Sequence, residues 1–125
     1  MLLNTALMCL AMNVYHEARS ESLMGKYAVA HVVMNRVEHD KFPDDVCSVV
    51  KQRFQFSWYW DGKSDHPHDR MAWAEARLIA NDVLKGEVPD ITEGALFYHA
   101  TYVSPRWAKA FTETVTYGQH IFYRY

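Results

Sequence analysis

Leu3, Leu7, Leu10 and Val14 recur at three- and four-residue steps, the spacing of one face of an α-helix, and the next position on that stripe is Glu17. An amino-terminal helix of this kind must bury its apolar face, and in doing so it carries a carboxyl group to the edge of the core. Such a carboxyl is costly to ionise, so its pKa rises toward the range in which it donates a proton near neutral pH. Glu17 is therefore a candidate general acid. The competing reading is an ordinary charged helix end, with Glu21 one turn on and Arg19 as counter-ion, and the pattern alone does not choose between them.

The rest of the chain reads as helices followed by strands. Asn4 or Thr5 caps the first helix, which runs to about Arg19. Ser22 caps a second, whose Tyr27, Ala28, Val29, Val32, Val33 and Val37 form a band broad enough to be buried on more than one side. Gly25 lets another backbone approach its start. After a loop at Phe42-Pro43, Asp44 or Asp45 caps a short helix to about Lys51. Arg53 to Trp60 is aromatic and polar with no core-like period; Asp61-Gly62 then marks a turn and a loop through Pro67. From about Asp69 to Lys85 the pattern predicts an amphipathic helix with Met71, Ala74, Leu78 and Val83 inward, stopped by Gly86. Ala95 to His99 reads as a short strand and Ser104 to Ala110 as a helical turn. Phe111 to Thr116 and His120 to Tyr125 read as a hairpin around Tyr117-Gly118-Gln119. The expected class is α+β, mainly helical with a small β-hairpin near the C-terminus, in a single domain over residues 1–125.

Composition narrows the function. Thirteen Lys and Arg against fifteen Asp and Glu leave a formal charge of -2, with no basic stripe for a nucleic-acid backbone. No run approaches the roughly 20 apolar residues that span a bilayer. The apolar stretch Ala6 to Met12 lacks a preceding Lys or Arg, and cleavage after it would remove most of the helix bearing Glu17, so it is not read as a signal peptide. Cys9 and Cys47 are too few for a disulfide framework and are expected as two reduced, buried thiols.

Other chemistries meet specific obstacles. His16-Glu17 begins like a zinc-protease helix, but the position four residues after His16 is Ser20 rather than a second His. Zinc held by distant histidines such as His99 and His120 stays open as an alternative. Ser57 and Ser104 lack a Gly-x-Ser-x-Gly setting, and no glycine-rich phosphate loop exists. What remains is one well-placed carboxyl with an aromatic, amide-bearing segment, a combination suited to gripping and protonating a sugar polymer. Trp73, Phe97 and Phe122 are expected in the core. For Trp58, Tyr59, Trp60 and Trp107, core burial and stacking on sugar faces both stand.

Five blocks carry a resemblance beyond pattern: Tyr15-His16-Glu17-Ala18-Arg19-Ser20-Glu21; Ala28-Val29-Ala30 with Asn35-Arg36-Val37; Phe54-Gln55-Phe56-Ser57-Trp58; Ala95-Leu96-Phe97-Tyr98-His99; and Gly118-Gln119-His120-Ile121-Phe122-Tyr123. Their order resembles that of the SleB/CwlJ cell-wall hydrolase family. The resemblance implies a lysozyme-like fold and a peptidoglycan-cleaving activity. It places Glu17 as the catalytic acid and Gln55, Phe56 and Ser57 along the glycan cleft, with Tyr98 and His120 as further substrate-contacting residues. No metal and no cofactor are expected.

A hydrolysing glycosidase needs a second carboxylate, whereas a lytic transglycosylase needs one acid that then serves as base. Glu21, Asp61, Asp65 and Asp69 are the possible second carboxylates. Glu21 is expected instead to cap the following helix or to pair with Arg19 or Lys26. Transglycosylation, as a muramidase-type cut between N-acetylmuramic acid and N-acetylglucosamine, is therefore preferred. The alternatives are a zinc-dependent N-acetylmuramoyl-L-alanine amidase and a non-catalytic glycan-binding module. The expected partner is the peptidoglycan glycan strand, met by a monomer with no membrane insertion. Without a signal peptide, the chain is expected in the cytoplasm, reaching the wall after release, as a phage endolysin does.

Overall fold

The computed structural model describes residues 5–52 and 67–125. Gln55, Phe56, Ser57, Trp58, Tyr59, Trp60, Asp61 and Asp65 fall outside the described residues.

Four helices precede a small sheet: α1 (Ala6–Ala18), α2 (Leu23–Val37), α3 (Val46–Val50) and α4 (Arg70–Leu84), then β1 (Phe97–Ala100), a 3-10 turn (Arg106–Ala110), β2 (Thr112–Tyr117) and β3 (His120–Arg124). Each helix starts on a side-chain cap that satisfies one of its orphan amides. Thr5 accepts from Met8 N, Ser22 from Gly25 N, Asp45 from Ser48 N and Asp69 from Ala72 N. Gly86 ends α4 at φ +70°, the left-handed conformation that glycine adopts without Cβ strain.

The core is centred on α1. Its residues from Cys9 to Tyr15 are buried all round, so the helix is central and not merely one-faced. Against it α4 lays Ala76, Ile79, Ala80 and Val83. This corrects the sequence reading of α4. Val83 is inward, but Met71 and Leu78 are 85% and 66% exposed and Ala74 is exposed as well. Two stripes overlap on this helix, and the one rich in alanine lets two helix axes come close, while long Met and Leu side chains would hold them apart. Trp73 packs edge-on to Tyr15 at the border of the core, and Phe97 and Phe122 are buried, as expected.

Cys9 on α1 and Cys47 on α3 form a disulfide, with Cα atoms 5.2 Å apart. The expectation of two reduced thiols is thereby overturned. Both residues are in the apolar layer, but burial on facing elements brings the sulfurs together across 38 residues, which composition and spacing do not reveal.

The sheet is antiparallel in the order β1-β3-β2, so the hairpin gains a third strand from the stretch beginning at Phe97. Tyr98 stands opposite Phe122, and His99 opposite Ile121. Alternation then sorts the side chains. Tyr98, His120 and Phe122 turn toward the helices, where Phe122 packs on Ala18, Ala28, Val29 and Val32. Phe97, Ile121 and Tyr123 turn away, toward Trp107 and Phe111. Trp107 thus belongs to an aromatic cluster on the outer sheet face.

The last turn of α2 fixes where β1 begins. Asn35 Nδ2 donates to Ala95 O at 2.9 Å and to Asp90 Oδ2 at 2.9 Å, and Arg36 Nε donates to Leu96 O at 2.7 Å. Asp90 is further held by Thr92 N and Gly94 N. Burial pushes the Asp90 carboxyl up, but these donors outweigh it and keep the group ionised below its ordinary range. No helix among the described residues is long and apolar enough to cross a membrane.

Candidate active site

Glu17 lies in the last turn of α1, partly buried where that helix meets β1. The hydroxyl of Tyr98 donates to Glu17 Oε1 at 2.7 Å. Burial raises the Glu17 carboxyl to about 6, against the opposing pull of the Tyr98 bond and the positive charge of Arg36. The stripe argument holds: the carboxyl is poised near neutrality because it is withdrawn from water. Burial and the adjoining carboxylate push the Tyr98 phenol well above its ordinary range, so it stays protonated and remains a donor.

Arg36 is the site residue that sequence reasoning left without a role. It is 1% exposed, with its guanidinium 5.0 Å from the Phe42 ring centre and 5.5 Å from that of Phe97. Burial lowers it to about 10, so it still carries its charge at neutral pH. A sequence signal did exist. Arg36 interrupts the apolar band of α2 as Glu17 interrupts that of α1, and two misfits of opposite sign on adjacent helices are a natural pair.

Tyr98 and His120, expected to contact substrate, are tied into the protein. The Tyr98 ring lies 5.0 Å from that of His120 and 5.5 Å from that of Phe122. His120 Nδ1 stands 3.8 Å from Glu21 Oε1, too far for a hydrogen bond. Burial lowers the His120 pKa, which Glu21 partly opposes, so the ring is neutral at pH 7.

Glu21 does not cap α2 or pair with Arg19 or Lys26. Ser22 is the cap, Arg19 donates to the Tyr15 hydroxyl, and Lys26 pairs with Glu75. The Glu21 carboxylate instead accepts from Gln119 N at 3.0 Å, clasping the β2–β3 turn from the α1–α2 corner. Gly118 makes this possible, since a Cβ there would stand 2.6 Å from Glu21 Oε1. Asp69 is also committed, as the α4 cap, and its own N–H donates to the Tyr15 hydroxyl at 2.9 Å.

Among the described residues no three His, Cys, Asp or Glu side chains converge as a metal-binding set. His99 and His120, the pair considered for zinc, have other partners. His99 Nδ1 bonds Ala100 O at 2.7 Å and Nε2 meets the Tyr123 hydroxyl at 2.8 Å, while His120 lies against Tyr98 and Glu21.

The Cell Wall Hydrolase family matches residues 20–123, a span that starts three residues after Glu17. A spore cortex-lytic enzyme of Halalkalibacterium halodurans is 32% identical over 114 residues, 90% of this chain and 33% of that protein. One of Bacillus subtilis is 33% identical over 122 residues, 95% of this chain and 37% of that protein. The chain spans about a third of the length of these curated relatives. Among solved structures, the catalytic domain of the germination-specific lytic transglycosylase SleB from Bacillus anthracis superposes with a TM-score of 0.80 at 27% identity, covering 99% of this chain and all of that one. The catalytic domain of the Bacillus cereus SleB protein also gives 0.80, at 29% identity, covering 95% of this chain and 89% of that one. With its α+β, lysozyme-like architecture, the chain belongs to the cell wall hydrolase family of the SleB/CwlJ type.

Proposed function

We propose that this chain is a single catalytic domain that cleaves peptidoglycan as a lytic transglycosylase, cutting the β-1,4 bond between N-acetylmuramic acid and N-acetylglucosamine. The observation that carries the reading is the Glu17 carboxyl, raised to about 6 and oriented by the Tyr98 hydroxyl. With that value roughly a tenth of the enzyme holds the proton at pH 7, enough for a general acid whose conjugate base is also needed.

In the first step Glu17 gives its proton to the glycosidic oxygen; the bond from C1 of the muramyl sugar to that oxygen breaks, and the N-acetylglucosamine hydroxyl departs. The Glu17 carboxylate then takes the proton from the muramyl C6 hydroxyl, whose oxygen closes on C1 to form a 1,6-anhydro ring. Glu17 ends protonated and no water is consumed. The buried charge of Arg36 stabilises the carboxylate between the two steps, and Tyr98 fixes its orientation. Gln55 and Ser57 are assigned to hydrogen bonds with acetamido or hydroxyl groups, and Phe56 to the cleft wall.

Support for transglycosylation over hydrolysis comes from the two other candidate acids among the described residues. Glu21 is spent on Gln119 N and Asp69 on the α4 cap, so each has a structural duty other than activating water. The Cys9–Cys47 disulfide favours action outside a reducing compartment. An endolysin-type enzyme that meets the wall once the membrane is opened fits that chemistry. The test is lysis of purified peptidoglycan by Glu17→Gln, which keeps the shape and removes the transferable proton. Activity should fall by about 10²- to 10⁴-fold with the fold intact. Near-normal lysis by this variant would exclude Glu17 as the acid.

A further inference from the structure

The outer face of the sheet bears a groove that the cleavage chemistry does not use. Two contiguous concavities of about 380 and 450 Å³ share His99, Val103 and Pro105. Trp107 and Phe111 wall the first, and Tyr123, Arg106 and Lys109 the second. Glu17 lines neither. Tyr98, which holds Glu17 through its hydroxyl, is also among the residues lining the first. The groove therefore begins at the strand that carries the Glu17 partner. Among the described residues β1 is an edge strand, the side from which an extended ligand would reach both sheet faces.

The walls are built rather than incidental. A backbone carbonyl only accepts, so His99 Nδ1 carries a proton toward Ala100 O, while Nε2 meets the Tyr123 hydroxyl. The rings of His99 and Tyr123 stack at 5.2 Å, and those of Phe97 and Phe111 at 4.4 Å. The described charged residues lining the concavities are cations. Arg106 and Lys109 both lie on the 3-10 turn, and no described residue lining either concavity is acidic; Glu113 lies on β2, opposite Tyr123, and its charge reaches the Tyr123 phenol. An apolar floor with a cationic rim suits a short peptide bearing carboxylates.

We infer that this groove seats the anionic stem peptide carried by the muramyl residue whose bond is cut at Glu17. The inference rests on the transglycosylase reading and names a second contact with the same substrate. An extended peptide of about five residues reaches about 17 Å, enough to cross a single strand from the cleft. The peptide lies along Trp107 and Phe111, and its carboxylates meet Arg106 and Lys109. Specificity for peptide-bearing over bare glycan would then come from these two cations.

The test is NMR titration of the intact chain with a soluble muramyl peptide carrying free carboxylates, alongside the same peptide with its carboxylates amidated. The expected result is saturable shifts at the Trp107 indole and the Arg106 and Lys109 amides. Affinity should fall at least tenfold for the amidated peptide and for Arg106→Glu/Lys109→Glu, whose exposed positions leave the fold intact. No shifts in the groove up to about 10 mM peptide, or equal affinity for both peptides or in the charge-reversed variant, overturns the inference. Groove shifts that follow protein concentration without peptide identify the occupant as a second copy and overturn it equally. Wild-type digestion of peptidoglycan is run beside the titration. Cleavage without groove binding removes this inference alone, and absence of cleavage removes the Glu17 reading whatever the groove does.

Discussion

The Tyr98 hydroxyl reaches Glu17 Oε1 at 2.7 Å across 81 residues of sequence, joining the edge strand of the sheet to the last turn of the central helix. A donor placed there lowers the carboxyl pKa while burial raises it, so the value of about 6 is a compromise between the two. Tyr98→Phe keeps the ring on His120 and Phe122 and removes only the donor. The midpoint of the upper limb of the pH–rate profile is then expected to rise by about one unit, with kcat reduced about tenfold through lost orientation. A midpoint unchanged from wild type would mean that Tyr98 does not act on Glu17.

The same carboxyl has a stability signature. Its folded pKa, about 6, lies above the usual 4.5, so its stabilising contribution is full below about 4.5 and is lost as pH rises through about 6. A shift of this size, discounted for partial exposure, amounts to about 1–2 kcal/mol. Asp90, depressed by its donors, works in the opposite direction and is common to both proteins. Glu17→Gln lacks the titration. Chemical denaturation at pH 4 and pH 7.5 should therefore show the variant gaining about 1–2 kcal/mol on wild type between the two; a constant difference contradicts the raised pKa.

Reducing the Cys9–Cys47 bond releases a loop spanning 38 residues. Chain-entropy reasoning puts the cost at about 2–4 kcal/mol, or a fall in Tm of about 8–15 °C for a chain of this length. Thermal melts with and without reductant, and of Cys9→Ser/Cys47→Ser, should agree on that fall. Identical melting with reductant would show that the two sulfurs are not bonded in solution.

Gly118 and Glu21 form a second measurable pair. Gly118→Ala imposes left-handed strain at φ +56° and drives Cβ to 2.6 Å from Glu21 Oε1, at an expected cost of about 2 kcal/mol. In a Glu21→Ala background only the backbone strain remains, so the same change should cost about 1 kcal/mol. Equal costs in both backgrounds would show that Glu21 does not occupy the β2–β3 turn.

Much of this was legible in the sequence because it depends on local patterns. The cap at Ser22, the choice of Asn4 or Thr5 and of Asp44 or Asp45 for two more, the stop at Gly86 and the hairpin at Gly118 follow from residue type and position. Glu17 was visible as a misfit on a helical stripe, and the burial of that stripe is what raises its pKa. Features set by tertiary partners were not legible. Which stripe of α4 faces inward depended on how closely α1 could approach, and the Cys9–Cys47 bond depended on the placement of α3. Glu21 looked like a helix-end carboxylate until a β-turn from the far end of the chain came to rest on it. Arg36 carried a signal, an ionic residue in an apolar band, whose meaning needed Glu17, Tyr98 and the Leu96 carbonyl around it.

The most direct measurement is mass spectrometry of the muropeptides released from purified peptidoglycan in H₂¹⁸O. If Glu17 serves as acid and then base on the sugar's own C6 hydroxyl, the new termini are 1,6-anhydro-muramyl ends, lighter by one water than reducing ends and free of ¹⁸O. Reducing ends that carry ¹⁸O would contradict this, showing that water takes the place of the C6 hydroxyl and that a second group activates it.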